Sequence, residues 1–189
     1  MRRYGAEIEW MPFDLHPEYP PEGVTRASLA SRYGPGFEDR TRQLVEGAGF
    51  EYNASTRIPR SLRALQLAEF ARAEGRHAEV HRRLFTAYWS EARDIGDLDV
   101  LVDIAAAAGL DPDKTSDVLE SDAYVDEVRQ STITAQRLGV HGVPAWVVDE
   151  RVLIPGAQPH EIFDEVLAGL GYRPIASDGT AAPSAGAEL

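Results

Sequence analysis

The chain of 189 residues contains no cysteine, and Lys114 is its only lysine. Without cysteine the chain cannot form a disulfide, a thiolate metal site or a thiol nucleophile of its own. Because Lys114 is the only lysine, it is the only side chain that could form a Schiff base with a carbonyl substrate. Two common forms of covalent catalysis are therefore almost absent from the sequence.

Positive charge is also scarce, because 19 Lys and Arg face 31 Asp and Glu, a formal net charge of −12. This balance repels nucleic-acid phosphates and anionic lipids, so we expect neither nucleic acid nor a membrane as partner. No run approaches the roughly 20 apolar residues that span a bilayer. The opening residues, 1–7, lack the apolar core of a signal peptide, which favours a cytoplasmic location. At 43% hydrophobic residues the chain is typical of a folded domain, alone or with an insertion.

A strand is predicted near the start of the chain. Ile8, Trp10 and Phe13 fall within a stretch that favours β structure over about 6–14. Prolines follow closely and cannot continue a hydrogen-bonded ladder. The sequence therefore predicts one strand and then a proline-rich loop.

From residue 25 to residue 139 the apolar spacing becomes helical. Repeats of about 3.6 residues predict a series of helices, with Asp97 and Asp111 as N-caps and Gly109 as a C-terminal stop. Two short β-rich segments, 145–148 and 152–154, then predict a hairpin. A last helix begins after Gln158-Pro159. A strand, a helical block, a hairpin and a helix in this order indicate an α/β fold with a helical insertion.

Several motifs along this order resemble the DsbA-like thioredoxin-fold family, in particular its FrnE-type branch. They are Glu-Trp-Met-Pro-Phe-Asp-Leu-His-Pro at 9–17, Leu-Phe-Thr-Ala-Tyr-Trp at 84–89 with Asp-Ile-Gly at 94–96 and Gly-Leu-Asp at 109–111, Gly-Val-His-Gly-Val-Pro-Ala-Trp at 139–146, and Gly-Ala-Gln-Pro at 156–159. The resemblance implies a thioredoxin-like portion made of 1–24 and 139–172 and a helical insertion domain over 25–138. The remaining residues, 173–189, are poor in apolar periodicity and are predicted to be a disordered tail.

The resemblance also implies that Val143-Pro144 is a cis peptide bond beside the substrate cleft. A Gly-Val-Pro sequence before a strand leaves the backbone groups of Val143 available to bind an extended peptide or glutathione. Gly142 and Ala145 would shape this loop. His141 lies three residues before Pro144, where an imidazole would influence a nearby thiolate.

In such proteins the reactive Cys-x-x-Cys segment stands at the start of the first helix, facing the cis-proline. This chain has no such segment, and its first predicted strand matches the family's second strand. We therefore expect an N-terminally truncated thioredoxin-like fold whose catalytic residues lie upstream of Met1. As written, the chain is predicted to be inactive.

Three functions remain open. The first is a thiol-disulfide oxidoreductase acting on protein or peptide thiols and disulfides. The second is a glutathione-dependent isomerase resembling 2-hydroxychromene-2-carboxylate isomerase, in which serine replaces the first cysteine. The third is a non-catalytic peptide-binding module. Glutathione is the one cofactor considered, and an unpaired strand edge allows a homodimer.

Four other residues carry weaker signals. His16 lies near the predicted cleft, although capping a strand end is the commoner role. Arg60, just before a predicted helix, could bind a carboxylate, but a plain N-cap by Ser61 or one of its neighbours is the favoured interpretation. His77 and His81 are four residues apart on a helix, yet no third ligand follows at zinc-site spacing, so no metal is predicted.

Overall fold

The computed structural model describes residues 2–175, and of Arg2, Ala30 and Arg32 only the backbone. The chain forms two compact units. We call residues 12–141 the helical unit, and residues 2–11 together with 142–175 the hairpin unit. The unit boundaries follow residues 11 and 141, whereas the sequence placed them after 24 and 138.

The helical unit contains seven α-helices and one small antiparallel strand pair in the described chain. They are β1 Val24–Thr25, α1 Arg26–Tyr33, α2 Phe37–Gly47, β2 Arg57–Ile58, α3 Leu62–Ala73, α4 His77–Phe85, α5 Leu98–Ala107, α6 Pro112–Glu120 and α7 Val125–Arg137. A π-helical turn, Thr86–Ser90, extends α4. The predicted helical block is confirmed.

Two of these helices begin as the sequence predicts. The Asp97 carboxylate accepts a hydrogen bond from the Val100 N–H at 3.1 Å, and Asp111 accepts one from the Lys114 N–H at 2.9 Å. Each bond satisfies a donor that the helix itself cannot. Gly109 has a φ of +84° after α5, a left-handed conformation that suits a residue without a side chain.

Helix α3 lies at the centre of the helical unit, where it contacts α4, α5, α6 and α7. The largest fully buried side chains of this core include Leu67, Phe70, Val80, Leu101 and Leu119. Burying each of these side chains contributes roughly 1.5–3 kcal/mol. The helical unit therefore has a hydrophobic core of its own.

The hairpin unit is built on β3 Ala145–Val148, β4 Val152–Pro155 and α8 His160–Gly169. The strands are antiparallel and pair Val148 with Val152. In the turn between them Asp149 and Glu150 have φ of +52° and +55°, and the Arg151 N–H donates to the Val148 carbonyl at 3.0 Å. This is the type I′ geometry that matches the twist of paired strands. The predicted hairpin and final helix are confirmed.

The strand predicted over 6–14 is wrong, because this stretch has no regular secondary structure. A strand is stabilised by bonds to a neighbour, and no strand within residues 2–175 is paired with this stretch. The stretch instead divides between the two units, since residues from Pro12 onward belong to the helical unit.

Of the predicted tail, 173–189, residues 176–189 lie outside the described part of the chain. Just before that point, the Ile175 N–H donates a hydrogen bond to the Arg3 carbonyl at 2.7 Å. Within the described ranges no helix has the length and apolar character needed to cross a bilayer.

Candidate functional site

The loop that enters β3 contains the residues that the sequence singles out for substrate alignment. The Val143–Pro144 peptide bond is cis. The Pro144 carbonyl accepts a hydrogen bond from the Gly156 N–H at 2.8 Å, which ties the loop to the end of β4. Gly156 has a φ of +77°, and the turn that points its N–H at Pro144 therefore suits glycine.

Within this loop, Val143 has an exposed side chain and unused backbone hydrogen-bonding groups. Its side chain is 52% exposed. Its backbone N–H and C=O make no hydrogen bond to any residue in the described part of the chain. A free donor and a free acceptor on one residue are what an extended peptide needs in order to add as a strand.

The neighbours of Val143 are placed as follows. Gly142 is exposed, and no heavy atom lies within 4 Å of the position that a Cβ would take. Ala145 is half-buried at the first position of β3. His141 is exposed and is the last residue of the helical unit. Thus Gly142, Val143, Pro144 and Ala145 form one continuous stretch of the hairpin unit.

An aromatic cluster supports β3 from within the hairpin unit. The Trp146 ring lies 5.3 Å from the Phe163 ring of α8 in an edge-on arrangement, and 6.2 Å from the Trp10 ring. These contacts join α8 and the first segment of the unit to β3. They fix the strand that immediately follows Pro144.

The hairpin unit leaves many large apolar side chains in contact with solvent. Among its described residues only Ile154 and Leu167 are buried hydrophobics. The exposed ones, which we call the exposed apolar set, are Ile8, Trp10, Met11, Val143, Val147, Tyr172 and Ile175. Moreover, β3 pairs with β4 on one side and with no other strand in residues 2–175. An open edge with apolar flanks is typical of a sheet that another segment covers.

His16 and Arg60, both in the helical unit, have defined surroundings. The His16 ring stacks on Tyr19 with 4.3 Å between ring centroids, and its Nδ1 lies 3.0 Å from a carboxylate oxygen of Glu18. The Arg60 Nε is buried without a hydrogen-bond acceptor. Ser61 is the N-cap residue of α3, but its side chain makes no capping bond. The predicted position of the N-cap is thus confirmed at Ser61, but without the side-chain hydrogen bond, since the residue has helical φ and ψ of −81° and −1°.

The two histidines of α4 stack on one another, with ring centroids 5.4 Å apart. Burial is the main reason why the pKa of both histidines lies below its usual value. The pKa of His81 is lowered to about 4. The Arg72 guanidinium lies 3.4 Å from the His77 Nε2 and opposes any further positive charge. Within residues 2–175 no three metal-ligating side chains converge.

Sequence reasoning missed Asp14, which is only 8% exposed. Its Oδ1 is buried and has no hydrogen-bond donor. Burial raises the pKa of the Asp14 carboxyl, and the nearby Arg60 guanidinium opposes this effect. An acid between two apolar residues, Phe13 and Leu15, was the available signal.

A hairpin followed by a helix, a cis-proline loop at its entrance and a large helical insertion together define a DsbA-like thioredoxin fold. The chain belongs to the family of the DSBA-like thioredoxin domain, whose model matches residues 1–168. The predicted fold class is thereby confirmed.

Two similar proteins extend this result. The uncharacterized protein YwbO of Bacillus subtilis (strain 168) is 28% identical over 166 residues, which cover 86% of this chain and 82% of YwbO. The crystal structure of the probable DsbA oxidoreductase SCO1869 from Streptomyces coelicolor has a TM-score of 0.79 and 28% identity. That match covers 95% of this chain and 86% of the Streptomyces chain.

Proposed function

We propose that this protein is a cytoplasmic thiol-disulfide oxidoreductase of the FrnE-type branch, acting on protein or peptide thiols and disulfides. We further propose that its reactive cysteines come from polypeptide outside the 189 residues. The observation that carries the proposal is the Val143-Pro144 loop, with a free N–H and C=O on Val143, in a chain of the DsbA-like family.

The role of this chain in such a reaction is to align the substrate. An extended peptide, or glutathione, would exchange hydrogen bonds with the N–H and C=O of Val143. A thiolate then attacks one sulfur of the disulfide, a mixed disulfide forms, and the other sulfur leaves as a thiolate that takes up a proton. A second thiol resolves the mixed disulfide, so that two electrons pass from the dithiol to the disulfide.

The hairpin unit supports an external source of the cysteines. β3 has an unpaired edge in the described chain, and Val147, in this strand, is 39% exposed. A strand added along this edge would bury part of the exposed apolar set. Covering apolar surface contributes about 25 cal/mol per Å², so such a segment would be held firmly.

The decisive measurement is the intact mass of the protein purified from the cytoplasmic fraction of its native cell, with and without a thiol-alkylating reagent. We expect a mass above 20.8 kDa and at least one alkylated cysteine. That product should reduce insulin disulfides, while residues 1–189 expressed alone should not. A native product without an alkylatable thiol would contradict the proposal.

A matched pair of variants tests the loop in the native product. Pro144→Ala should lower insulin-reduction turnover, because the backbone of Val143 would no longer be presented to the substrate. Pro112→Ala changes a proline at the first position of α6 and should leave turnover unchanged. Equal turnover of both variants and the wild type would remove the loop from the mechanism.

The other two functions are distinguished by the same material. A longer product without cysteine that isomerises a substrate only with glutathione would indicate the serine-type isomerase. A product with neither thiol chemistry nor isomerase activity that still binds extended peptides would indicate a binding module, a function that the absence of cysteine favours.

A further inference from the structure

The first residues of the helical unit are fastened to α7 by two hydroxyl groups. The Asp14 N–H donates a hydrogen bond to the Thr132 Oγ1 at 2.9 Å, and the Ser131 hydroxyl donates one to the Pro12 carbonyl at 2.7 Å. Thr132 in turn donates to the Val128 carbonyl of its own helix. Pro12, Asp14 and Thr132 are all buried. Thus residues 12–14 are packed against α7 although they form no regular secondary structure.

Asp14, the last residue of this attached segment, has a buried carboxyl group with too few hydrogen-bond donors around it. Asp14 is more than nine-tenths buried, and its Oδ1 meets no donor. Arg60 is the positive charge that acts most strongly on the carboxyl, yet the two side chains form no hydrogen bond or ion pair, and the buried Nε of Arg60 has no acceptor. The carboxyl has a hydrogen bond with the His16 backbone, but its Oδ1 has none. A buried charge whose hydrogen bonds are incomplete is costly, and the same group is tolerated far better when it is neutral.

We propose that Asp14 is a latch that fastens residues 12–14 to α7 more tightly in acidic than in neutral solution. Protonation neutralises the buried carboxyl and lets the attached state persist. Ionisation favours detachment, because the charged group gains water when it leaves α7. All groups of the latch belong to the helical unit, whose first residue is Pro12.

The surroundings of Asp14 act on its pKa in both directions, and the net effect is to raise it. Burial is the largest influence and raises its pKa from 3.8, and Glu18 acts in the same direction. Arg60, just before α3, lowers it, as do a hydrogen bond with the His16 backbone and the His16 ring. The α7 groups that form hydrogen bonds with residues 12–14 are hydroxyls, which carry no charge. The attached state therefore holds the proton more tightly than the detached state.

The direction of the pH effect follows from linkage. The detached carboxyl loses its proton near pH 3.8 and the attached one at a higher pH. Between these two values, each pH unit lowers the ratio of attached to detached chains by up to about tenfold. Above the higher value the ratio stays constant. The attachment is thus fully present at acidic pH and weakens as pH rises through the pKa of the attached form.

Hydrogen exchange at single amides tests the latch. The Asp14 amide should lose protection, after correction for the intrinsic rate, as the pH is raised from acidic to neutral. The Asn53 amide, which donates to the Trp89 carbonyl in the same unit, should keep its protection and serves as the reference. Equal pH profiles for the two amides would overturn the proposal.

Variants identify the titrating group. Asp14→Asn should remove the pH dependence, and His16→Gln should retain it. Arg60→Gln should move the loss of protection to higher pH, because the guanidinium no longer favours the ionised form. The proposal fails if Asp14→Asn retains the pH dependence or if His16→Gln abolishes it. Should Asp14→Asn not fold, Arg60→Gln still decides the matter: a loss of protection that stays at the same pH or moves to lower pH in this variant would overturn the proposal.

Discussion

The Tyr172 hydroxyl donates a hydrogen bond of 2.6 Å to the Asp149 carboxylate. This bond joins the turn of the β3-β4 hairpin to the segment that follows α8. It acts on a turn whose backbone is unfavourable for its residues, since both Asp149 and Glu150 have positive φ. Non-glycine side chains rarely adopt this conformation.

Glu150→Gly should therefore stabilise the protein by roughly 0.5–1 kcal/mol, because glycine adopts a left-handed conformation without strain. Asp149 is left in place and keeps its bond to Tyr172. The measurement is the free energy of unfolding followed by the fluorescence of the three tryptophans, of which Trp146 lies in β3 of the hairpin. The same replacement in a helix, Glu165→Gly in α8, should destabilise by about 1 kcal/mol. Destabilisation by both changes would contradict the turn assignment.

Asp97→Ala should destabilise the helical unit by about 1 kcal/mol, since the Val100 N–H loses its acceptor at the start of α5. Asp99→Ala removes the same charge from the first turn without removing the cap. It should therefore cost clearly less. Urea unfolding of the two variants checks this order, and equal losses would indicate a charge effect alone.

Leu101→Ala should destabilise the helical unit by roughly 2–5 kcal/mol, because a fully buried side chain of α5 is replaced by a cavity. Leu44→Ala is the control, since Leu44 of α2 is 57% exposed. It should change the free energy of unfolding by about 0.5 kcal/mol or less. Similar losses for both variants would show that α5 does not belong to the core.

Ionisation of Tyr52 is expected to lower the stability of the folded protein at alkaline pH. Burial, followed by the hydrogen bond to Glu38, raises the pKa of Tyr52 to about 12. The unfolded chain loses this proton near pH 10, so the stabilisation is present below pH 10 and is lost as pH rises toward 12. Tyr52→Phe should cost about 1 kcal/mol at neutral pH, through the lost hydrogen bond.

Ultraviolet titration measures the tyrosine ionisation directly. The absorbance step of highest pH should diminish in Tyr52→Phe. Tyr33→Phe, at a tyrosine that is 42% exposed, is the matched control and should leave that step in place. A step near pH 10 that disappears with Tyr52 would contradict the burial of this phenol.

Local rules in the sequence predict the helical unit well. Asp97 and Asp111 form the expected caps because an N-cap depends on residues within one turn. The family motifs predict the fold class for a related reason, since they mark the positions where the chain must turn. Both kinds of signal are confined to a few neighbouring residues.

Signals that depend on distant partners are less informative. Ile8, Trp10 and Phe13 resemble a strand, but strand formation needs a neighbour that no local pattern supplies. Asp14 looks like an ordinary loop acid until α7, more than a hundred residues later, buries it. Ser61 has the residue type and the position of an N-cap, yet its side chain makes no capping bond, a detail of backbone conformation that the residue type does not reveal.

The helical unit is a single uninterrupted stretch, 12–141, enclosed by the two pieces of the hairpin unit. A gene can therefore lengthen, shorten or exchange this stretch in one recombination event, without reordering the sequence on either side. Because the helical unit buries its own core, such an exchange would carry a complete folding module with it. The helical unit can thus be inherited as one replaceable segment, separately from the β3-β4 hairpin and α8.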